Sequence, residues 1–187
     1  MDDVITISDD DDSPVSYIPA PPNDPLAELR PLLDPTNFSR FNGRWSFRVG
    51  STACDCELHS GGLTVADVCP NPDSLPGTPL LERFAAALAR AADRRVALAF
   101  HGTPLENLSP ICTYGLDPAR RRGQSYGPGE YFATHAGTSL SFCQRSSRTV
   151  VLFALLLDPL GLTHNDGHTI VVHAGDHQLP LATVTFA

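Results

Sequence analysis

The second half of the chain is a series of short apolar runs separated by polar or glycine-containing segments. Residues 96–100 and 149–157 are apolar over the length of a β-strand, which is typical of strands buried inside a sheet. The segments 169–173 and 179–186 predict a third and a fourth strand. The hydrophobic pattern therefore indicates a strand-rich C-terminal half.

A helix is predicted just before the first of these strands. Thr78 and Pro79 suit a helix start, because a hydroxyl side chain can cap the first turn and proline fits the first helical position. The segment that follows places apolar side chains on one helical face at Leu81, Phe84, Leu88 and Ala92. A helix packed on a strand-rich sheet predicts an α+β fold.

The segment before this helix is predicted to form a small hairpin. Residues 44–49 alternate polar and apolar side chains, as a half-buried strand does. The turn at 60–62 precedes a second candidate strand at 63–68, which we expect to pair with the first.

Two groups of candidate metal ligands are present, but neither predicts a metal site. One group lies in or near the hairpin, and its spacing is not that of a standard zinc site. It consists of Cys54, Cys56, His59 and Cys69. The other group, His168, His173 and His177, lacks a matching carboxylate. Buried or free thiols and ordinary histidines explain both groups better.

The composition separates a tail from a domain. Seven of the 17 prolines precede residue 36. Residues 1–24 contain seven aspartates and no lysine or arginine, so the remainder of a chain with net charge −8 carries only −1. We predict a disordered acidic and proline-rich tail over 1–35 and one domain over 36–187. The near-neutral body argues against generic binding to nucleic acid.

Cysteine usage and the N-terminus indicate where the protein is found. The five cysteines are an odd number, and the N-terminus lacks the basic and apolar regions of a signal peptide. The longest apolar run is far too short to cross a bilayer. We therefore expect a soluble protein inside the cell, nuclear or cytoplasmic, with no membrane partner.

The acidic tail contains one β-prone patch, in which Val4, Ile5 and Ile7 precede four aspartates, Asp9 to Asp12. This patch resembles a SUMO-interacting motif, a short aliphatic run flanked by acidic residues that adds a strand to an exposed sheet edge. The resemblance implies SUMO or a SUMOylated protein as a partner. The alternative is a few apolar residues in a tail, because short patterns of this kind often arise by chance.

The stretch 96–142 brings together several residues that suit ligand binding. A buried strand, a glycine-containing turn and a short predicted helix each present polar or aromatic side chains near their ends. In chain order these residues are His101, Gly102, Thr103, Tyr131, Ser139 and Phe142. These side chains offer an imidazole, a phenol, two hydroxyls and one further ring, and each lies next to regular structure. The set therefore predicts a nucleotide-binding cleft.

The order and spacing of these residues resemble the catalytic domain of the poly(ADP-ribose) polymerase family of ADP-ribosyltransferases. The resemblance is carried by His-Gly-Thr after a strand, Asn-x3-Ile-x3-Gly-Leu, Tyr-Gly-x-Gly-x-Tyr-Phe-Ala, and a serine eight positions beyond that last tyrosine with an aromatic residue three further on. It covers roughly residues 80–187. It implies an α+β ADP-ribosyltransferase fold: a mixed or antiparallel, split β-sheet with flanking helices and no regulatory helical domain. It also implies NAD+ as the substrate and a protein as the acceptor.

The resemblance implies a role for each matching position. His101 would bond a ribose hydroxyl on the adenosine side of NAD+. The backbone of Gly102 and a hydroxyl donated by Ser139 would hold the nicotinamide amide. Tyr131 would pack against the nicotinamide, and Phe142, at a position that is often tyrosine, would stack on its ring.

The remaining matching positions form the walls of the cleft. Thr103 and Asn107 would line it and fix the following loop. Residues 117–125 correspond to the donor-side loop, where Arg120, Arg121 and Arg122 either face the pyrophosphate or belong to a solvated loop.

The third position of the family's His-Tyr-Glu set departs from the pattern. Polymerising members have a glutamate at the start of the strand that aligns with 168–172, where this chain has His168, or Thr169 if the register is shifted by one. A neutral imidazole can bond a ribose hydroxyl, but it brings no negative charge to a transition state that builds positive charge on the ribose. The chain is thus expected to use His101, Tyr131 and His168 and to transfer single ADP-ribose units.

Two functions of different classes remain open. The first is an NAD+-dependent mono-ADP-ribosyltransferase that modifies protein side chains and is directed to SUMO-marked partners by its tail. The second is a catalytically inactive module that binds NAD+ or ADP-ribose, or acts as a SUMO-linked adaptor. A third, transfer to RNA, needs a basic surface around 120–122 and 145–148 and is disfavoured by the near-neutral body.

Overall fold

The computed structural model of the protein describes residues 24–34, 43–49, 52–122, 124–144 and 147–187, with the backbone alone described up to residue 57 in the first two strands. Over these residues the chain forms short 3₁₀ turns, three α-helices and nine β-strands. The helices are α1 (Pro79–Arg90), α2 (Leu108–Tyr114) and α3 (Ala136–Leu140). The strands are β1 (Gly43–Val49), β2 (Thr52–Leu58), β3 (Val65–Pro70), β4 (Val96–His101), β5 (Glu130–Ala133), β6 (Thr149–Leu156), β7 (Leu162–Asn165), β8 (Thr169–Val172) and β9 (Gln178–Phe186).

Seven of the strands form one antiparallel sheet in the order β3-β9-β6-β4-β5-β8-β7. This arrangement confirms the predicted α+β fold class, and β4, β6, β8 and β9 correspond to the four predicted strands. The predicted hairpin is wrong. β1 turns directly back into β2, with Val49 opposite Thr52, and β3 pairs with β9 at the edge of the large sheet.

The large sheet is nearly divided between β4 and β5. Six residue pairs join β4 to β6, from Val96 opposite Leu156 to His101 opposite Val151. A single pair, Phe100 opposite Ala133, joins β4 to β5. The two strands therefore diverge beyond this pair, which is the split that the family resemblance predicts.

Both faces of the sheet are covered, and β6 shows this most directly. Its side chains alternate between two apolar clusters, as Leu152 and Phe153 illustrate, and both are fully buried. α1 covers the first cluster, and Ile111 of α2 joins the second. The predicted apolar face of α1 is right for its first three positions. It is wrong for Ala92, which is exposed because the helix ends at Arg90.

Residues 24–34 pack against the domain and correct the boundary predicted after residue 35. Leu26, Leu29 and Leu33 are between 0% and 3% exposed and belong to the same core cluster as α1. Asp24 and Arg30 form an ion pair, and Arg30 also donates a hydrogen bond to the carbonyl of Ser74 at 2.6 Å. This part of the predicted tail is folded, because its leucine spacing buries one apolar side over a short 3₁₀ turn.

Two further predictions concern the N-terminal patch and the membrane. The aliphatic patch and the aspartates at 9–12 lie outside the described residues. Within the described residues, no helix is long and apolar enough to span a membrane.

Candidate functional site

A large cleft opens where β4 and β5 diverge. Its volume is about 1250 Å³. Its walls come from the end of β4, from α2 and the loop that follows it, from β5 and from α3. All the predicted binding residues line it: His101, Gly102, Thr103, Tyr131, Ser139 and Phe142. The structure therefore brings the motif residues together at one place.

His101 bridges the two diverging strands. Its Nδ1 lies 3.0 Å from the carbonyl oxygen of Tyr131. This side-chain hydrogen bond joins β4 to β5 next to their single backbone pair. Since a carbonyl only accepts, Nδ1 carries the proton and donates. Burial lowers the pKa of His101, although the Tyr131 carbonyl and the charge of Glu130 oppose the shift. The imidazole is therefore neutral at pH 7, and its Nε2 is free to accept a hydrogen bond.

The lowered pKa of His101 predicts how stability responds to acid. The unfolded chain protonates this histidine below about pH 6.5, whereas the folded chain does so only at lower pH. The unfolded state then binds more protons, so stability falls as the pH drops from about 6.5 through the folded pKa. We expect His101→Gln to lose less unfolding free energy than the wild type between pH 7.5 and pH 5, measured by urea titration. An equal loss in both proteins would contradict the prediction.

Gly102 makes the contact between β4 and α3 possible. A Cβ at this position would lie 1.6 Å from the backbone oxygen of Ser139 and 2.6 Å from its carbonyl carbon. The family resemblance implies that the backbone of Gly102 holds the nicotinamide amide. In the structure, α3, the helix that carries Ser139, packs so closely on Gly102 that no side chain fits at this position.

Ser139 is buried, and its hydroxyl is already engaged. Oγ donates a hydrogen bond to the carbonyl of Phe100 at 2.9 Å. A hydroxyl has a single proton, so in this arrangement Ser139 can accept a hydrogen bond from a ligand but cannot donate one. The expected donation to the nicotinamide amide requires the hydroxyl to rotate.

Tyr131 fixes the glycine-containing turn that precedes it. Its hydroxyl accepts a hydrogen bond from the backbone N–H of Tyr126 at 2.8 Å and donates to the carbonyl of Gly127 at 2.9 Å. Both bonds act on the turn, so the phenol ring is held rigidly in the cleft wall.

Exposed aromatic rings stand in the cleft, although aromatic side chains of soluble proteins usually bury most of their area. Phe142 follows α3 and is 67% exposed, and Tyr114 ends α2 and is 75% exposed. Tyr126 is 51% exposed and stacks on His164, with ring centroids 4.5 Å apart. Rings of this kind can stack on a planar ligand. The sequence predicted this role for Phe142 only.

A chain of polar contacts fixes the wall next to His101. Asn107 donates to the hydroxyl of Thr103 at 3.1 Å and accepts from Arg120, also at 3.1 Å. Thr103 and Asn107 therefore both line the cleft and hold the loop. Arg120 is exposed and lies 3.6 Å from Asp117.

A buried ionic network lies in the same wall, and the sequence arguments missed it. Arg121 forms a two-point ion pair with Glu130, at 2.7 and 3.0 Å, and Gln178 donates to the same carboxylate at 2.8 Å. The sequence does contain one indication of this network: Glu130 directly precedes an apolar segment, and a buried glutamate requires a partner. Arg121 lines the cleft, but this network engages its guanidinium with protein partners.

Thr169, and not His168, lines the cleft. The Asp166 carboxylate accepts the backbone N–H groups of both residues, at 2.9 and 2.7 Å, and these bonds help to lower its pKa to about 2. The turn before β8 is thus firmly set. The exposed ring of His168 lies 5.6 Å from that of His135, which in turn stacks on His59. The catalytic role of His168 stays a prediction, with Thr169 as the alternative position.

None of these histidines forms a metal site in the described part of the chain, where no group of three or more suitable ligands occurs. The side chains of Cys54 and Cys56 lie outside that part. Cys69 and Cys112 are free thiols, and burial raises the pKa of Cys112.

The fold and the cleft define a class of protein: an antiparallel sheet, split at its centre, with an ADP-ribosyltransferase-type set of side chains at the split. Residues 78–164 match the family model described as Poly(ADP-ribose) polymerase catalytic domain, and this segment contains all the predicted binding residues. The family match and the fold support a poly(ADP-ribose) polymerase-like ADP-ribosyltransferase catalytic domain, as the motifs predicted. His168 and Thr169 lie beyond the matched segment.

Other comparisons add a likeness in structure. The chain is similar to the crystal structure of the PARP domain of Arabidopsis RADICAL-INDUCED CELL DEATH1, with 18% sequence identity and a TM-score of 0.48. The likeness covers 68% of this chain and 89% of that chain. No curated protein matches the chain.

Proposed function

We propose that the protein is an NAD+-dependent mono-ADP-ribosyltransferase that modifies protein side chains. The observation that carries this proposal is the convergence of the motif residues on one cleft at the split of the sheet. The cleft is larger than the roughly 300–1000 Å³ of common ligand sites, which suits an extended dinucleotide. It also combines exposed rings, arginines and hydrogen-bonding groups, as the parts of NAD+ require.

In this proposal each residue acts on NAD+ through a contact that the structure makes available. The neutral His101 accepts a hydrogen bond from a ribose hydroxyl at Nε2. Ser139 accepts from the nicotinamide amide, and Phe142 stacks on the nicotinamide ring. The bond from the ribose C1′ to nicotinamide breaks, and nicotinamide leaves with the electron pair. An oxygen of the acceptor side chain then bonds to C1′; a carboxylate oxygen does so without losing a proton, and a hydroxyl oxygen releases its proton to solvent.

A labelling experiment tests the enzyme assignment. Incubation with NAD+ labelled in the adenylate part should transfer label to protein, and His101→Ala should reduce transfer by about 100-fold, because a misplaced ribose loses the aligned geometry. His173→Ala is the matched control, since His173 is exposed and does not line the cleft. If NAD+ binds and no label is transferred, the protein is the inactive binding module instead.

The length of the product tests mono-transfer. Among the described residues, two acids line the cleft: Asp117 lies beside Arg120 and Glu130 is bound to Arg121, so each carboxylate faces an arginine of the protein. We expect single ADP-ribose units on gels and by mass spectrometry. Thr169→Ala should affect transfer more than His168→Ala, because Thr169 faces the cleft. The appearance of long polymer would contradict mono-transfer.

We further propose that SUMO or a SUMOylated protein is a partner through the aliphatic patch of the tail. A strand of Val4, Ile5 and Ile7 would add to a sheet edge, and the aspartates at 9–12 would meet a basic rim. Such a partner agrees with a nuclear or cytoplasmic location. In a pull-down with immobilised SUMO, Ile5→Ala/Ile7→Ala should lose binding while Val15→Ala, outside the patch, retains it. Equal retention of all three proteins would exclude the motif.

A further inference from the structure

The wall of the cleft contains a carboxylate that nothing in the motif requires. Glu130 begins β5, directly before Tyr131, and its side chain is 6% exposed. Both Glu130 and Arg121 line the cleft. A carboxylate so well shielded from water acts strongly on nearby charges, because little solvent screens it.

Arg121 is the group that compensates this carboxylate. Its Nε and Nη2 reach the two oxygens of Glu130 at 2.7 and 3.0 Å, which is the two-point geometry that favours arginine over lysine. Nη2 also donates to the carbonyl of His173 at 2.7 Å. These bonds commit Arg121 to protein partners, in contrast to a role as a direct ligand of a pyrophosphate.

Gln178 completes the arrangement from the other side. Its amide nitrogen donates to Glu130 at 2.8 Å and to the carbonyl of Val172 at 2.9 Å. Gln178 is neutral, so the charge of Glu130 is balanced by Arg121 alone within the network. Without Arg121, an uncompensated negative charge would face the cleft.

We propose that Arg121 is a counter-charge and positioning residue that makes the cleft electrostatically able to accept the diphosphate of NAD+. The inference rests on the proposed function, because it takes NAD+ as the ligand. Arg122 lies in the same loop, lines the cleft and is exposed, so it is available to the diphosphate once Glu130 is neutralised. Arg121 thus acts on the ligand through Glu130.

Two ligands of different charge test this role by calorimetry: ADP-ribose, which carries the diphosphate, and nicotinamide, which is neutral. Arg121→Gln should weaken ADP-ribose binding by roughly tenfold or more and leave nicotinamide binding within about twofold, since only the anion is repelled. Glu130→Gln removes the negative charge and should leave ADP-ribose binding unchanged or tighter. The double variant Arg121→Gln/Glu130→Gln should restore ADP-ribose binding to near the wild-type value.

The opposite pattern would overturn the inference. A purely structural network predicts that Glu130→Gln weakens ADP-ribose binding as much as Arg121→Gln does, or that nicotinamide binding falls equally. If Arg121→Gln fails to fold, Arg121→Lys replaces it: retained charge should preserve ADP-ribose binding, and a loss of more than tenfold would count against the role. If the wild type binds neither ligand, the proposed function itself fails, and this inference fails with it.

Discussion

Gly102→Ala is expected to abolish NAD+ binding and to destabilise the domain by about 3 kcal/mol or more. The new methyl group would lie 1.6 Å from the backbone oxygen of Ser139. A flexible side chain could move away, but a backbone carbonyl inside a short helix can yield only if α3 shifts as a unit. That shift would carry Ser139 and Phe142 away from their places in the cleft.

The same helix provides a matched control for this prediction. A Cβ at Gly137 would meet no atom within 4 Å, so Gly137→Ala should be neutral or stabilise the protein by about 0.5 kcal/mol. Thermal unfolding and calorimetric titration with NAD+ measure both effects. Wild-type affinity in Gly102→Ala would show that α3 does not depend on the close contact with β4.

Leu29→Ala should cost about 2–5 kcal/mol of unfolding free energy. Leu29 is 1% exposed and lies in the core cluster that α1 also joins, although its segment was predicted to be a disordered tail. Removing the side chain leaves a cavity between this segment and the sheet. We therefore expect a residue that precedes residue 35 to contribute to stability as a core residue does.

The neighbouring residue separates this packing effect from a general sensitivity of the segment. Glu28 is exposed, and a polar contact at the protein surface contributes little, so Glu28→Ala should change the unfolding free energy by no more than about 1 kcal/mol. Urea denaturation followed by circular dichroism measures the difference. Similar values for the two variants would mean that residues 24–34 contribute little to the core.

The buried strands were predictable because their side chains meet apolar surroundings on both faces. β6 is the clearest case, since a nearly uninterrupted apolar run is what two covered faces require. Strand pairing was less predictable. β3 lies far from β9 in sequence, and nothing in the local pattern of 63–68 indicates that its partner is the C-terminal strand rather than β1.

The cleft was predictable where a residue type has a spacing that serves a known chemistry, as for His101 and Ser139. The sequence could not place His168 and Thr169, because a shift of one residue in a strand moves every side chain to the opposite face. The Arg121–Glu130 pair was missed for a related reason. The two residues are nine positions apart on a loop and a strand, and only the fold brings them into contact.

The division of the sheet between β4 and β5 links ligand affinity to the cohesion of the domain. Besides the single backbone pair, His101 bonds to the Tyr131 carbonyl, and Ser139 bonds to the Phe100 carbonyl. Groups that would hold a ligand therefore also join the two parts of the sheet. If the Ser139 hydroxyl rotates towards a ligand, the buried Phe100 carbonyl loses this hydrogen bond, and the cost of that loss reduces the net affinity. A change that favours ligand binding by Ser139 would thus weaken its bond to the Phe100 carbonyl and destabilise the ligand-free protein. Affinity and stability therefore cannot be optimised independently at this position.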